Sequence, residues 1–307
     1  MTLALLCSGQ GAQHPGMFEL TAGHPAAQGV FASATPLLGR DPRDLVRAGG
    51  PILHENRTGQ ILCCIAALSA WSVVAEAAPA RMIVAGYSIG DLAAWGCAGR
   101  FSVDTVLELA AARAEAMDAA SGPGHGLAGL RGLPQARAAA LAQAHGCHVA
   151  ILNAPDSVVV GGATPALEAL CRDATAAGAQ RAVLLPVHTP SHTPLLARAA
   201  ERFRAQLART PLETPPRPAP RLLSGLDGAA VFDVAAGLDK LSRQIASTID
   251  WAACLEGVAE FGATDVVELG PGHALATMAS AAMPGVRVHA LEDFRSAAGV
   301  AAWIAKD

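Results

Sequence analysis

Gly86-Tyr87-Ser88-Ile89-Gly90 puts a serine between two glycines, the arrangement in which a hydroxyl is lifted onto a sharp corner and exposed to substrate. A serine there can take an acyl group, and the amide of Ile89 behind it can face the oxyanion that forms. The hydroxyl is a poor nucleophile until a base removes its proton, and histidine is the usual base near neutral pH. Of ten histidines, His188 and His192 in His188-Thr189-Pro190-Ser191-His192 are the most suggestive. Spacing alone does not choose between them. The same four-residue interval would suit a metal on a helix, but Pro190 disfavours helix there and no third ligand stands out, so no metal is expected. A glycine-rich loop, Cys7 to Met17, carries Gln10 and Gln13 and is suited to bring backbone amides against a ligand. Arg113 stands in the alanine-rich stretch Leu107 to Ala120, where pattern alone reads it as a solvated face.

These groups need a scaffold. Met82 to Ala85 is a short apolar run fit for a buried strand, and Ile89 to Cys97 has the small and apolar residues of a packed helix, so Ser88 falls on a strand-to-helix corner. Thr2 to Cys7 reads as a first strand. A loop leaving one parallel strand at its carboxyl end faces the same crevice as a nucleophile leaving another. Helices are expected near 26–38, 41–48, 57–78 and 103–119. From 126 to 187 the order changes to strand, helix, two strands at 148–154 and 156–162 with the turn Asn153-Ala154-Pro155-Asp156 between them, helix and a closing strand at 179–187. That βαββαβ order is ferredoxin-like. The expected class is α/β, a hydrolase-like parallel-sheet core from 1–125 and 188–307 with 126–187 inserted as a small domain. Further strand-helix units begin with the strand stretch Arg221 to Gly228 and continue to Ala305.

At 307 residues the chain exceeds what one core usually serves. Its 52% hydrophobic and 16% charged residues exclude a disordered chain and favour a sheet covered on both faces. One Tyr, four Trp, seven Phe and a net charge of −4 argue against nucleic acid as partner. The seven cysteines are odd in number and form no C-x-x-C pair, so they read as free thiols of a reducing, cytoplasmic compartment. Met1 to Gly11 lacks a basic region and a cleavage site, and Ile61 to Ala75 is too short to cross a bilayer, so neither signal peptide nor membrane span is expected.

Seven separated motifs resemble, in order, those of malonyl-CoA:acyl-carrier-protein transacylases. They are Gly9-Gln10-Gly11-Ala12-Gln13, the Ser88 pentapeptide, Arg113 before Met117, Asn153-Ala154-Pro155 with Val160-Gly161-Gly162, Pro190-Ser191-His192, Arg243-Gln244 and Glu268-Leu269-Gly270-Pro271-Gly272. The resemblance spans almost the whole chain. It implies an acyltransferase in which Ser88 is the nucleophile and His192 its base, leaving His188 as a neighbour. It further implies that the amides of Gln10 and Ile89 form the oxyanion hole and that Arg113 holds the malonyl carboxylate. The Gln244 backbone would orient the histidine, with Gln244 and Asn153 bordering bound substrate. Malonyl-CoA would enter as substrate and a carrier-protein prosthetic thiol as acceptor, with no separate cofactor. Tyr87 stands where fatty-acid-synthesis members usually have histidine, and Gly86 to Gly99 looks closer to the epsilon subunit of malonate decarboxylase, whose acceptor is the decarboxylase carrier subunit.

Two other classes compete. An α/β-hydrolase esterase or thioesterase shares the elbow but needs an acid behind its histidine, for which Asp227 and Asp265 are candidates. A non-catalytic subunit would use the fold only for docking. The helix after His192 carries Arg198, Arg202 and Arg204, suited either to an acidic carrier or to solubility alone.

Overall fold

The computed structural model describes residues 1–306. The chain begins with β1 (Leu3–Cys7), α1 (Gln28–Leu38), α2 (Pro42–Ala48), α3 (Asn56–Val74), β2 (Met82–Gly86), α4 (Ile89–Cys97) and α5 (Val103–Ser121). It continues through β3 (His125–Arg131), α6 (Gln135–Ala144), β4 (His148–Ala154), β5 (Ser157–Ala163), α7 (Thr164–Ala176) and β6 (Arg181–Leu184). Then come α8 (Ala197–Leu207), β7 (Arg221–Leu222), α9 (Val234–Arg243), β8 (Ile249–Asp250), α10 (Trp251–Glu260), β9 (Asp265–Leu269), α11 (Ala274–Ala282), β10 (Arg287–Ala290) and α12 (Ala297–Ile304).

Five strands form a wholly parallel sheet in the order β10-β9-β1-β2-β7. Leu3 to Cys7 is buried at every position, as a central parallel strand covered on both faces requires. The register aligns Cys7 with Gly86 on one side and with Leu269 on the other. Three chain segments therefore leave the sheet side by side at its carboxyl end: the glycine-rich loop, the Ser88 corner and the turn after Leu269. The Tyr87 amide donates to the Cys7 carbonyl at 3.0 Å and the Ser8 amide to the Leu269 carbonyl at 3.3 Å, which prolongs the alignment into the loops. The apolar stretch from 61 lies in α3 and the short turn of helix after it, a run over Asn56–Ala77 that is, against expectation, long and apolar enough to cross a membrane, but 78% of its most apolar window is buried inside the fold.

A second five-stranded sheet has the order β6-β3-β5-β4-β8. In its first four strands each neighbouring pair is antiparallel, and the four follow the βαββαβ succession. The fifth comes from further along the chain: β8 adds in parallel to β4, pairing Ile151 with Ile249 and Leu152 with Asp250. The class is α/β, a parallel sheet beside a mixed one.

Three expectations are corrected. The strand from Arg221 stops at Leu222, because Leu223 turns to bridge Ala230 and the Gly225 amide leaves the sheet to donate to Asp91 Oδ2 at 3.1 Å. The closing strand of the second sheet shortens to Arg181–Leu184. The strand expected over His148 to Ala154 is found with those bounds, Asn153 included, and only the turn after it is shorter, reduced to Pro155-Asp156.

Candidate functional site

The Ser88 corner is built by what its glycines lack. A Cβ on Gly86 would lie 2.1 Å from the Gly90 backbone, and one on Gly90 would lie 2.1 Å from the Cys7 carbonyl oxygen. Only bare backbone lets α4 start that close to β1 and β2. Ser88 itself takes φ 58° and ψ −117°, a conformation that costs an L-residue on the order of 1–3 kcal/mol and aims the hydroxyl away from the helix.

His192, not His188, meets it. Ser88 Oγ and His192 Nε2 are 2.8 Å apart, while His188 is exposed. His192 also has positive φ, 63°, in a loop tied by its amide to the Ile245 carbonyl at 2.8 Å and by Thr193 Oγ1 to the Pro190 carbonyl at 2.7 Å. His192 Nδ1 lies 2.5 Å from the Gln244 carbonyl oxygen. A carbonyl can only accept, so Nδ1 carries the proton and Nε2 presents its lone pair to the Ser88 hydroxyl. Burial, and then the nearby charge of Arg113, push His192 down to about 3, against a smaller upward effect of the Gln244 carbonyl. The imidazole is thus neutral and able to accept a proton throughout the ordinary pH range.

Arg113 is 1% exposed, which overturns the solvated-face reading. Its Nη1 donates to Gln60 Oε1 at 2.7 Å, and Gln60 is held in turn by donating to Asn56 Oδ1 at 2.8 Å. Nη2 is buried without a hydrogen-bond partner. Burial lowers Arg113 to about 10, so it keeps its charge. A buried guanidinium with one unpaired nitrogen can pair with an anion, most fittingly a planar carboxylate, although neither Arg113 nor Gln244 is among the residues lining the crevice beside Ser88.

Ile89 opens α4, where first-turn amides have no partner within the helix. Gln10 lies in the loop after β1, next to Gly9, which packs against Tyr87 and Ser88. That loop is fixed by the Gly11 amide donating to Gln13 Oε1 at 2.5 Å and by Gln13 Nε2 donating to the Leu53 carbonyl at 3.0 Å. A crevice of about 480 Å³ runs between the two sheets, with Gln10, Ser88 and His192 on one wall and Leu127, Ile151 and Asn153 on the other. Asn153 is held by Tyr87, whose hydroxyl donates to its Oδ1 at 3.1 Å while the ring stands edge-on to Trp251, centroids 5.3 Å apart. At the crevice base Glu268 is fully buried, accepting from Ser8 Oγ at 2.6 Å and from the Ala276 amide at 2.8 Å. Burial pushes it up to about 7 despite those donors.

Neither acid weighed for a hydrolase triad stands behind His192. Asp227 pairs with Lys240 at 2.6 Å, and Asp265 begins β9 at the opposite end of the sheet, where Arg287 pairs with it. Among the described residues no group of three or more His, Cys, Asp or Glu side chains is placed to hold a metal ion. Two site residues escaped the sequence reading: Gln60, inside an apolar helix pattern, and Asp91, whose only signal was a charge three places after the serine in an otherwise small and apolar helix.

Fold and site together define an α/β acyltransferase with a serine at a strand-to-helix corner and a histidine supported by a backbone carbonyl. The chain belongs to the acyl transferase domain family, whose model matches residues 4–223. It is 32% identical over 283 residues to the malonyl CoA-acyl carrier protein transacylase of Salmonella typhimurium, covering 89% of this chain and 90% of that one. The acyl-carrier-protein S-malonyltransferase from Burkholderia pseudomallei superposes with a TM-score of 0.90 at 29% identity, over 99% of both chains. A malonyl-transacylase solved in complex with a type II polyketide-synthase acyl carrier protein also gives 0.90, at 25% identity over 98% of this chain and 99% of that one.

Proposed function

We propose that this chain moves a malonyl group from malonyl-CoA to the thiol of an acyl carrier protein through a malonyl-Ser88 intermediate. His192 Nε2 takes the Ser88 proton as Oγ attacks the thioester carbonyl, and the amides of Gln10 and Ile89 receive the oxyanion. The carbon–sulfur bond breaks, and the departing coenzyme A sulfur takes the proton from His192. The second half runs in reverse: a carrier thiol gives its proton to His192, attacks the ester and frees Ser88, a ping-pong sequence. The observation that carries the reading is the unpaired Nη2 of buried Arg113, which asks for the free carboxylate at the far end of a malonyl group. Transacylase relatives covering nine-tenths of the chain support the same substrates.

More narrowly, we propose the carrier subunit of malonate decarboxylase as the acceptor, with a carrier of fatty-acid or polyketide synthesis as the alternative. Tyr87 before the nucleophile and the Gly86 to Gly99 stretch support it. Arg198 and Arg202 are the proposed docking contacts on α8: both are exposed, while Ala199, Phe203 and Leu207 turn inward and Arg204 is partnered by Asp239 at 3.7 Å. Intact-mass analysis tests the chemistry. Malonyl-CoA should add one malonyl group at Ser88, and a carrier thiol should remove it faster than water does. Steady release of malonate indifferent to thiol would favour a hydrolase, and an unlabelled Ser88 would favour a docking subunit. Rates measured side by side on a decarboxylase carrier and a fatty-acid carrier decide the acceptor.

A further inference from the structure

Four hydrogen bonds close a ring around the site. Ser88 Oγ meets His192 Nε2 at 2.8 Å, and His192 Nδ1 donates to the Gln244 carbonyl at 2.5 Å. Gln244 Nε2 donates to Asp91 Oδ2 at 2.7 Å, and the Asp91 amide donates to the Ser88 carbonyl at 3.1 Å. The ring starts and ends on the N-terminal turn of α4. Gln244 caps the C-terminus of α9, where carbonyls lack partners within the helix and chain ends fray. Its side chain is fully buried and reaches across to α4.

We propose that Asp91 is a positioning residue for acyl transfer: by gripping the Gln244 side chain it keeps the Gln244 carbonyl on His192 Nδ1, and so keeps the imidazole lone pair on Ser88. The inference rests on the Ser88–His192 transfer reading above. Asp91 is poorly suited to a purely architectural role. It is 1% exposed, and its Oδ1 has no hydrogen-bond partner, a costly state for a buried carboxyl group. An apolar residue of similar size would remove that unpaired oxygen but would strand the two buried donors that Asp91 Oδ2 satisfies. What Asp91 offers instead is an acceptor, shared by Gln244 Nε2 and the Gly225 amide, that ties the support of the base to the helix carrying the nucleophile. During transfer His192 becomes a cation for an instant, and an Nδ1 acceptor that cannot drift stabilises it.

Three variants test this: Asp91→Ala, which removes the acceptor; Asp91→Asn, which keeps an oxygen for Gln244 Nε2; and Gln244→Met, which cuts the tether while leaving the backbone carbonyl. For each, the rate of Ser88 acylation by malonyl-CoA is measured per acylatable site, together with the low-field proton resonance of His192 Nδ1–H. Asp91→Ala and Gln244→Met should slow acylation about ten- to hundredfold with KM for malonyl-CoA little changed, and should shift or broaden the resonance. Asp91→Asn should restore most of the rate and the resonance. A wild-type rate and resonance in Asp91→Ala, or an Asp91→Asn as slow as Asp91→Ala, would overturn the proposal. If Asp91→Ala does not fold, a wild-type rate and resonance in Gln244→Met overturns it equally. Failure of the unmutated chain to acylate at Ser88 would instead sink the transfer reading itself.

Discussion

Ser88 and His192 are the only residues other than glycine, among those described, whose backbones take positive φ, and their side chains meet at 2.8 Å. Both partners of the key contact are therefore held in conformations an L-residue avoids. Surrounding structure enforces this: the Gly86–Gly90 contact at one end and the Ile245 and Gln244 carbonyls at the other. Strain placed on both sides of one hydrogen bond is consistent with a pair fixed before substrate arrives.

The strain has a measurable consequence. Ser88→Ala and Ser88→Gly should both abolish acylation, but the glycine variant should be the more stable by about 1 kcal/mol, because only glycine takes φ 58° freely. Thermal unfolding of the two variants side by side checks it; an alanine variant as stable as the glycine one would mean that the corner is relaxed.

Arg113 should govern which acyl group is accepted. Charged hydrogen bonds of this kind contribute about 1.5–3 kcal/mol, so Arg113→Ala should lower the malonyl-over-acetyl preference in kcat/KM by about ten- to a hundredfold. Arg113→Lys should recover little of it, since an ammonium on a shorter reach cannot keep Gln60 and also pair with a carboxylate. Competition between malonyl-CoA and acetyl-CoA reads the ratio directly.

His192 sets the pH response. With its pKa near 3, acylation should hold its rate well below the usual histidine range, with no loss centred near 6.5. Because the Arg113 charge is part of the cause, Arg113→Ala should move that acid limb upward. Stability responds with a definite sign. Between about 6.5 and 3 the unfolded chain binds a proton at this histidine that the native chain does not, so His192 makes folding less favourable as pH falls through that window. Asp91 and Glu268, both raised to about 7 by burial, act oppositely: the native state holds their protons better, so their contribution fades as pH rises toward 7. Asp91→Asn should therefore gain stability relative to the parent as pH rises from about 4 to about 7, with no further gain above that, as read by denaturant midpoints.

The glycines around Ser88 should tolerate nothing larger. Gly90→Ala drives a methyl group to 2.1 Å from the Cys7 carbonyl oxygen, backbone that cannot step aside, and should cost about 3 kcal/mol or more. Gly23→Ala, with open space around its Cβ, is the control and should change stability by less than about 0.5 kcal/mol.

Local sequence carried the strand-to-helix corner at Ser88, the alternation that makes the class α/β and the βαββαβ order of the second sheet, because hydrophobic period and glycine placement act over a few residues. The order of motifs along the chain carried the resemblance to malonyl transacylases. The choice of His192 over His188, the burial of Arg113 behind Gln60, the loan of Ile249–Asp250 to the second sheet and the ring through Asp91 were decided only in three dimensions. Each joins residues 50 or more positions apart, so no local pattern encodes it. Arg113 shows why: on its own helix it is one charge among alanines, and only the packing of α3 against α5 turns that face inward and leaves one edge of the guanidinium unpaired.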